Sequence, residues 1–326
     1  MIPGVLTACS SDRLKTTPRT IEPATPAVSP PASTPAGRVL ELGGHPQAAL
    51  FDGGTGQLVV LSPGTDPGAS ADLRVFGGRD ASGGIALPTA ATAMTGDGAG
   101  TAYLASHGGY ITVDLGAGRA TAATVAGAQD VDFTAITRRA DGSLALGSAD
   151  GAVYLLTADN SVANRTQIFA RVDALAAQGN TTIVLDRGQT SVTTLDADGN
   201  AQQSLRAGTG ATTLVADPHG RVLVADTRGG QLLVYGVDPL ILRQAFPVRH
   251  SPYGLAASQK LAWVSQTESN TVVGYDLSTG IPVEKVRYPT VRQPNSLAYD
   301  EVSGTLYVVS GSGAGVQVIE HAAGTP

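Results

Sequence analysis

Seven repeats spaced 39–44 residues apart, each cut by turn residues into short strand-like runs, together with the lack of any sustained helical stripe, predict an all-β chain. A period of about 40–45 residues with four strands per unit belongs to a propeller blade. The expected fold is therefore a seven-bladed β-propeller.

The unit is clearest at 252–286, where the runs LAA, LAWV, TVVGYDL and PVEKVRY are separated by polar or Gly-containing turns. Taking its opening Pro as origin, equivalent positions fall at Pro46, Pro88, Asp132, Val172, Ala211, Pro252 and Pro294. Three residues further on sits a small or apolar residue each time: Ala49, Ala91, Ala135, Leu175, Leu214, Leu255 and Leu297. Inner strand pairs follow at 58–61 and 73–76, 101–105 and 110–115, 144–148 and 152–156, 182–186 and 191–196, and 222–226 and 232–237. TQIFARVDALAAQ places Ile168, Val172, Leu175 and Ala176 at helical spacing. The seven-fold phase outweighs one window, so 168–171 is read as an outer strand and 174–177 as the next inner one.

Closure follows from the two ends. The last unit supplies three strands (294–298, 305–310 and 316–320) and then only HAAGTP, whereas RVLEL at 38–42 is a strand with no unit of its own. An open ring would leave unpaired edges, so 38–42 is expected to complete blade seven. The propeller then spans 38–321, with a tail at 322–326. Removal of 1–37 should be tolerated and removal of 1–43 costly.

Composition agrees. Only 15% of the 326 residues are charged, against about 25% in typical soluble domains, as expected where sheets bury both faces. The 41 glycines and 19 prolines suit many tight turns. The net charge of −6 is +1 over 1–37 and −7 over the repeats, which argues against a nucleic-acid surface. One cysteine, Cys9, excludes an internal disulfide and any Cys-based metal site.

Leu6-Thr7-Ala8-Cys9 is similar to the lipobox of bacterial lipoproteins, in which the Cys is lipidated and becomes the first mature residue. Only eight residues precede it, without a basic or full apolar region, so 1–8 reads as a truncated signal-peptide remnant. Residues 12–37 carry Pro18, Pro23, Pro26, Pro30, Pro31 and Pro35 among Thr, Ser and Ala. Lacking core residues, 9–37 is expected to be a lipid-attachment Cys followed by a disordered, extended Pro-rich tether. The expected location is the cell membrane, lipid-anchored through Cys9 on the extracytoplasmic side, with a monomeric head.

LAWVSQTESNTVVGYDLSTG (261–280) and TLYVVSGSGAGVQVIE (305–320) resemble the blades of YVTN-type bacterial propellers. With the lipobox and the Ala/Gly-rich usage, the chain resembles the mycobacterial propeller lipoproteins of the LppL group. The resemblance implies place and shape, and assigns no chemistry.

Propeller ligands usually bind at the channel mouth, on the loops that join one blade to the next and on those between middle strands. The first set holds His45, Arg171, Arg206, Arg249, His250, Arg292 and Asn295, so basic residues recur at one phase entering blades four to seven. Guanidinium forks suit carboxylate and phosphate groups. These seven residues are the candidate rim for an anionic small molecule or a protein partner. The second set offers His107, Asp150, Arg187, Glu268 and a local pair, Asp226 with Arg228. Asp196–Asn200 faintly imitates a calcium loop but lacks the distal Glu. There is no Gly-x-Ser-x-Gly, no HExxH and no paired His, so neither catalytic residues nor a cofactor are expected. The alternative reading is a propeller-type metal-dependent hydrolase or lactonase, for which only Asp173 and Asn295 stand where ligands would be needed.

Overall fold

The computed structural model describes residues 19–31, 34–64, 70–77 and 81–324. Seven antiparallel sheets of four strands each form the ring. Blade one runs from Ala48–Asp52 to Ala81–Ala86, blade two from Ala93–Gly96 to Arg119–Thr124 and blade three from Phe133–Arg138 to Val162–Gln167. Blades four, five and six begin with Ala174–Gln178, Ala211–Ala216 and Pro252–Ala257. Blade seven consists of Pro294–Asp300, Thr305–Ser310 and Val316–Ile319, and its fourth strand is Arg38–Leu40 from the other end of the chain. The register is Arg38 opposite Val318, Val39 opposite Gln317 and Leu40 opposite Val316. The ring closes as the sequence predicts, and no helix is present among the described residues.

The apolar core is divided into seven clusters, one at every junction between neighbouring blades. Val59, Leu61 and Leu73 of blade one pack on Leu104 and Ile111 of blade two. At the closing junction, Leu58 and Val60 of blade one meet Val309, Val316 and Val318 of blade seven, with Leu42 among them. Each sheet therefore buries both faces, which is why its second and third strands read as continuous apolar runs rather than alternating ones. At about 25 cal/mol per Å² of apolar surface, these junctions supply most of the driving force for folding.

Hydroxyls stitch the inner strands around the channel. Thr92 Oγ1 donates to Phe133 O at 2.8 Å, Thr134 Oγ1 to Val172 O at 2.5 Å and Ser296 Oγ to Gln47 O at 3.0 Å. Thr213 reaches Tyr253 O in the same way. Each bond ties one blade to the next.

One strand differs from expectation. The outer strand of blade three is Val162–Gln167, not 168–171. Residues 168–171 are a loop, because Asp186 of blade four captures the amides of Ala170 at 2.7 Å and Arg171 at 3.4 Å. The inner strand Ala174–Gln178 stands where the repeat phase puts it.

Candidate functional site at the channel mouth

In a four-stranded antiparallel blade, the loop between second and third strands and the loop to the next blade emerge on the same face. All seven candidate rim residues lie on that face by this topology. Their side chains are drawn into different local bonds. Arg171 Nε donates to Asp173 Oδ1 at 3.2 Å, and Arg206 Nε to Gly208 O at 2.9 Å. His250 Nδ1 stands 3.5 Å from Glu268 Oε2, and Asn295 Oδ1 accepts from Gln293 Nε2 at 3.2 Å. Arg249 and His45 are exposed. Arg292 Nε donates to the carbonyl of Ser29, a residue of the N-terminal segment, at 3.2 Å. The rim is thus a band of basic residues around part of one face. Cys9 lies outside the described residues.

The channel below holds a cavity of about 310 Å³, lined in part by Thr134, Asp173, Arg187, Thr213 and Tyr253. Asp173 is an enclosed charged group there, with a side chain 10% exposed. Its Oδ2 accepts from the backbone N–H of Arg187 at 2.8 Å. Burial raises the Asp173 pKa, although that amide and the guanidiniums of Arg187 and Arg171 pull it down. Burial also raises the Tyr253 hydroxyl, again opposed by Arg187. Arg187 is therefore the charge that both channel groups feel, and its buried Nε has no hydrogen-bond partner among the described residues. Arg187 belonged to the second loop set in the sequence and carries more of the site than any of the seven rim candidates.

The N-terminal segment is irregular, as a core-less stretch should be, yet it is laid on the head rather than standing off from it. Residues 19–31 follow the channel-mouth face across blades four, five and six. Ile21 N donates to Gly188 O at 2.8 Å. Arg228 Nη2 donates to Glu22 O at 2.8 Å, and Arg187 Nη2 to Ala24 O. Ala27 N donates to Ser251 Oγ at 3.0 Å. Ser29 is 2% exposed; its Oγ donates to Thr267 O at 2.6 Å and accepts from Gln293 N at 2.9 Å. Arg228 accordingly turns outward to Glu22, while Asp226 accepts the amides of Thr209, Gly210 and Gly229, so the local pair expected of them does not form.

Among the described residues no group of three or more His, Cys, Asp or Glu could hold a metal ion. Asp173 is bound within blade four and Asn295 within blade seven, so the two ligands offered for a hydrolase do not share a bond or a partner. Asp196 caps its own hairpin, accepting from Asp198 N at 3.0 Å and Asn200 N at 2.8 Å. On the opposite face a cleft of about 410 Å³ lies between blades five and six. Within it Arg221 Nε donates to Asp217 at 2.7 Å and His219 Nε2 meets Gln259 O at 2.9 Å, and Arg243 and Lys260 also line it.

No family model and no curated protein matches the sequence. Solved structures do match. A chain of a mitotic checkpoint complex superposes with a TM-score of 0.71 at 14% identity, over 91% of this chain and 98% of that one. Virginiamycin B lyase from Staphylococcus aureus gives 0.69 at 11% identity, over 84% and 96%. Kuenenia stuttgartiensis hydrazine synthase gives 0.70 at 12% identity, over 88% and 98%. These are likenesses of fold. One of them is to a lyase and another to a part of a checkpoint assembly, so the shared ring sets no chemistry.

Proposed function

We propose that the chain is a lipid-anchored, extracytoplasmic binding module of the YVTN type, which takes an anionic ligand or the anionic group of a protein partner at its channel mouth. The observation that carries this reading is Arg187. Its guanidinium stands at the mouth with one nitrogen on a carbonyl oxygen and another buried without an acceptor, beside Arg171 and above a hydroxyl-lined channel. A carboxylate or phosphate that displaces the Ala24 carbonyl would take over the bond to Nη2 as a charge-assisted one. On a molecule of net charge −6, the surrounding arginines form a local positive region that draws anions to this face.

Two measurements test it. In cells expressing the full-length chain, Cys9→Ala moves the protein from the membrane to the soluble fraction with its fold intact; a variant that stays on the membrane refutes the anchor. A single acyl chain holds only marginally, so firm attachment requires at least two on the Cys. In pull-downs from membranes, the partner recovered by the wild type falls off with added salt and is depleted by Arg249→Ala with Arg292→Ala. Recovery independent of both salt and these arginines refutes the anionic ligand.

A further inference from the structure

The seat of the N-terminal segment has the features of a peptide-reading surface. It addresses the backbone rather than the side chains: Arg228, Arg187, Gln293, Arg292 and Asn270 donate to the carbonyls of Glu22, Ala24, Ala27, Ser29 and Pro30. Gln293 grips from both sides, since its Oε1 also accepts from Ser29 N at 3.0 Å. Two positions are read by size. Ala24 is 5% exposed and rests on Gly210, where an added Cβ would come within 2.9 Å of the Ala24 methyl. Ser29, five residues on, is enclosed between Thr267 and Gln293. Between and beside them Pro23, Thr25, Val28 and Pro30 face solvent.

The segment is extended and carries Pro23, Pro26, Pro30 and Pro31. Ordering a backbone residue costs free energy that one hydrogen bond roughly offsets. Proline reduces the ordering cost because its φ is already set. A seat that offers mainly carbonyl contacts and two small pockets therefore selects a proline-rich chain and holds it in close balance, ready for exchange.

We propose that this face of blades four to seven is a binding groove for extended proline-rich segments, in which the chain's own 19–31 is the resident ligand and a like segment of another polypeptide is the exchange partner. The recognised pattern is a small residue and, five positions later, a serine, with prolines between and after. This goes beyond the anionic ligand proposed above and does not depend on it, because peptide binding is read here with the peptide alone.

The probe is a fluorescent peptide of residues 19–31, titrated into the full-length chain and followed by anisotropy. The tethered segment competes at an effective concentration in the millimolar range, so micromolar peptide leaves the wild type unbound. In the full-length double variant Ala24→Leu with Ser29→Val, the resident segment cannot seat, and the free peptide binds roughly tenfold or more tighter than to wild type. Adding Gln293→Ala to that background loses the gain, whereas Lys260→Ala on the opposite face keeps it. Hydrogen exchange at Ile21, Ala27 and Ser29 of the wild type, and at the same positions of the double variant, reports release of the segment. An unchanged melting temperature of the ring reports that the fold is kept. The proposal is overturned if the double variant binds no better than wild type, if Gln293→Ala leaves binding unchanged, or if those amides stay protected in the double variant.

Discussion

Asp226 shows how single side chains hold the channel-mouth face in shape. It is fully buried at the end of the second strand of blade five and accepts the amides of Thr209 at 3.0 Å, Gly210 at 2.8 Å and Gly229 at 3.0 Å. Buried polar residues stand at the same strand end in every blade: Ser62, Ser106, Ser148, Asp186, Asp226, Gln266 and Ser310. Gly208 adopts a φ of +68°, and a Cβ there would meet Asp226 Oδ2 at 1.9 Å, so this loop is built around the carboxylate. Asp226→Ala leaves three enclosed donors without an acceptor and should lower stability by about 3 kcal/mol or more, measured by chemical denaturation. A loss near zero would show that water replaces the carboxylate without penalty. Asp173 gives a pH signature. Its folded pKa is raised by burial, so the folded chain holds this proton more tightly than the unfolded chain. Its contribution to stability is therefore greatest below the usual carboxylate range and is lost as pH rises through the raised value. Asp173→Asn should remove that part of the decline in melting temperature with rising pH; an identical pH profile in the variant contradicts it.

The closing strand is the element on which the ring depends. Arg38–Leu40 pairs with Val316–Ile319, and Leu42 packs into the junction of blades seven and one. Removing residues 1–37 strips the seated segment but leaves that pairing. Removing 1–43 exposes the edge of blade seven and opens its junction with blade one, at a cost of several kcal/mol. Calorimetry should show a distinctly lower melting temperature for the second truncation; equal values would contradict a closing role for 38–42. The closure could be read in the sequence because one end lacked a strand that the other end supplied. The outer strand of blade three could not. Val162–Gln167 alternates between half-buried and exposed positions and reads VANRTQ, which lacks the apolar signal of the strands inside it, whereas the neighbouring Ile168 and Phe169 are apolar loop residues. The seat for 19–31 was invisible for another reason. Arg187 meets Ala24 across 163 positions of sequence and Arg228 meets Glu22 across 206, so no local pattern marks the seat. A repeat pattern encodes what all blades share, and a binding surface is made of what they do not.

At the scale of the whole molecule, seven junction cores make a rigid ring in which every blade is held by two neighbours. The two faces differ: one presents hairpin turns and the cleft between blades five and six, the other presents the arginine band, the channel and the seated segment. The proposed binding function is assigned to this second face. The most direct measurement is photo-crosslinking of the full-length chain in intact membranes, with the reactive group placed in turn at Arg249 on the channel-mouth face and at Lys260 on the opposite one. A discrete, salt-sensitive product is expected from position 249, weakened by Arg187→Ala, and none from position 260. Equal products from both positions, or a product from position 260 alone, would contradict it.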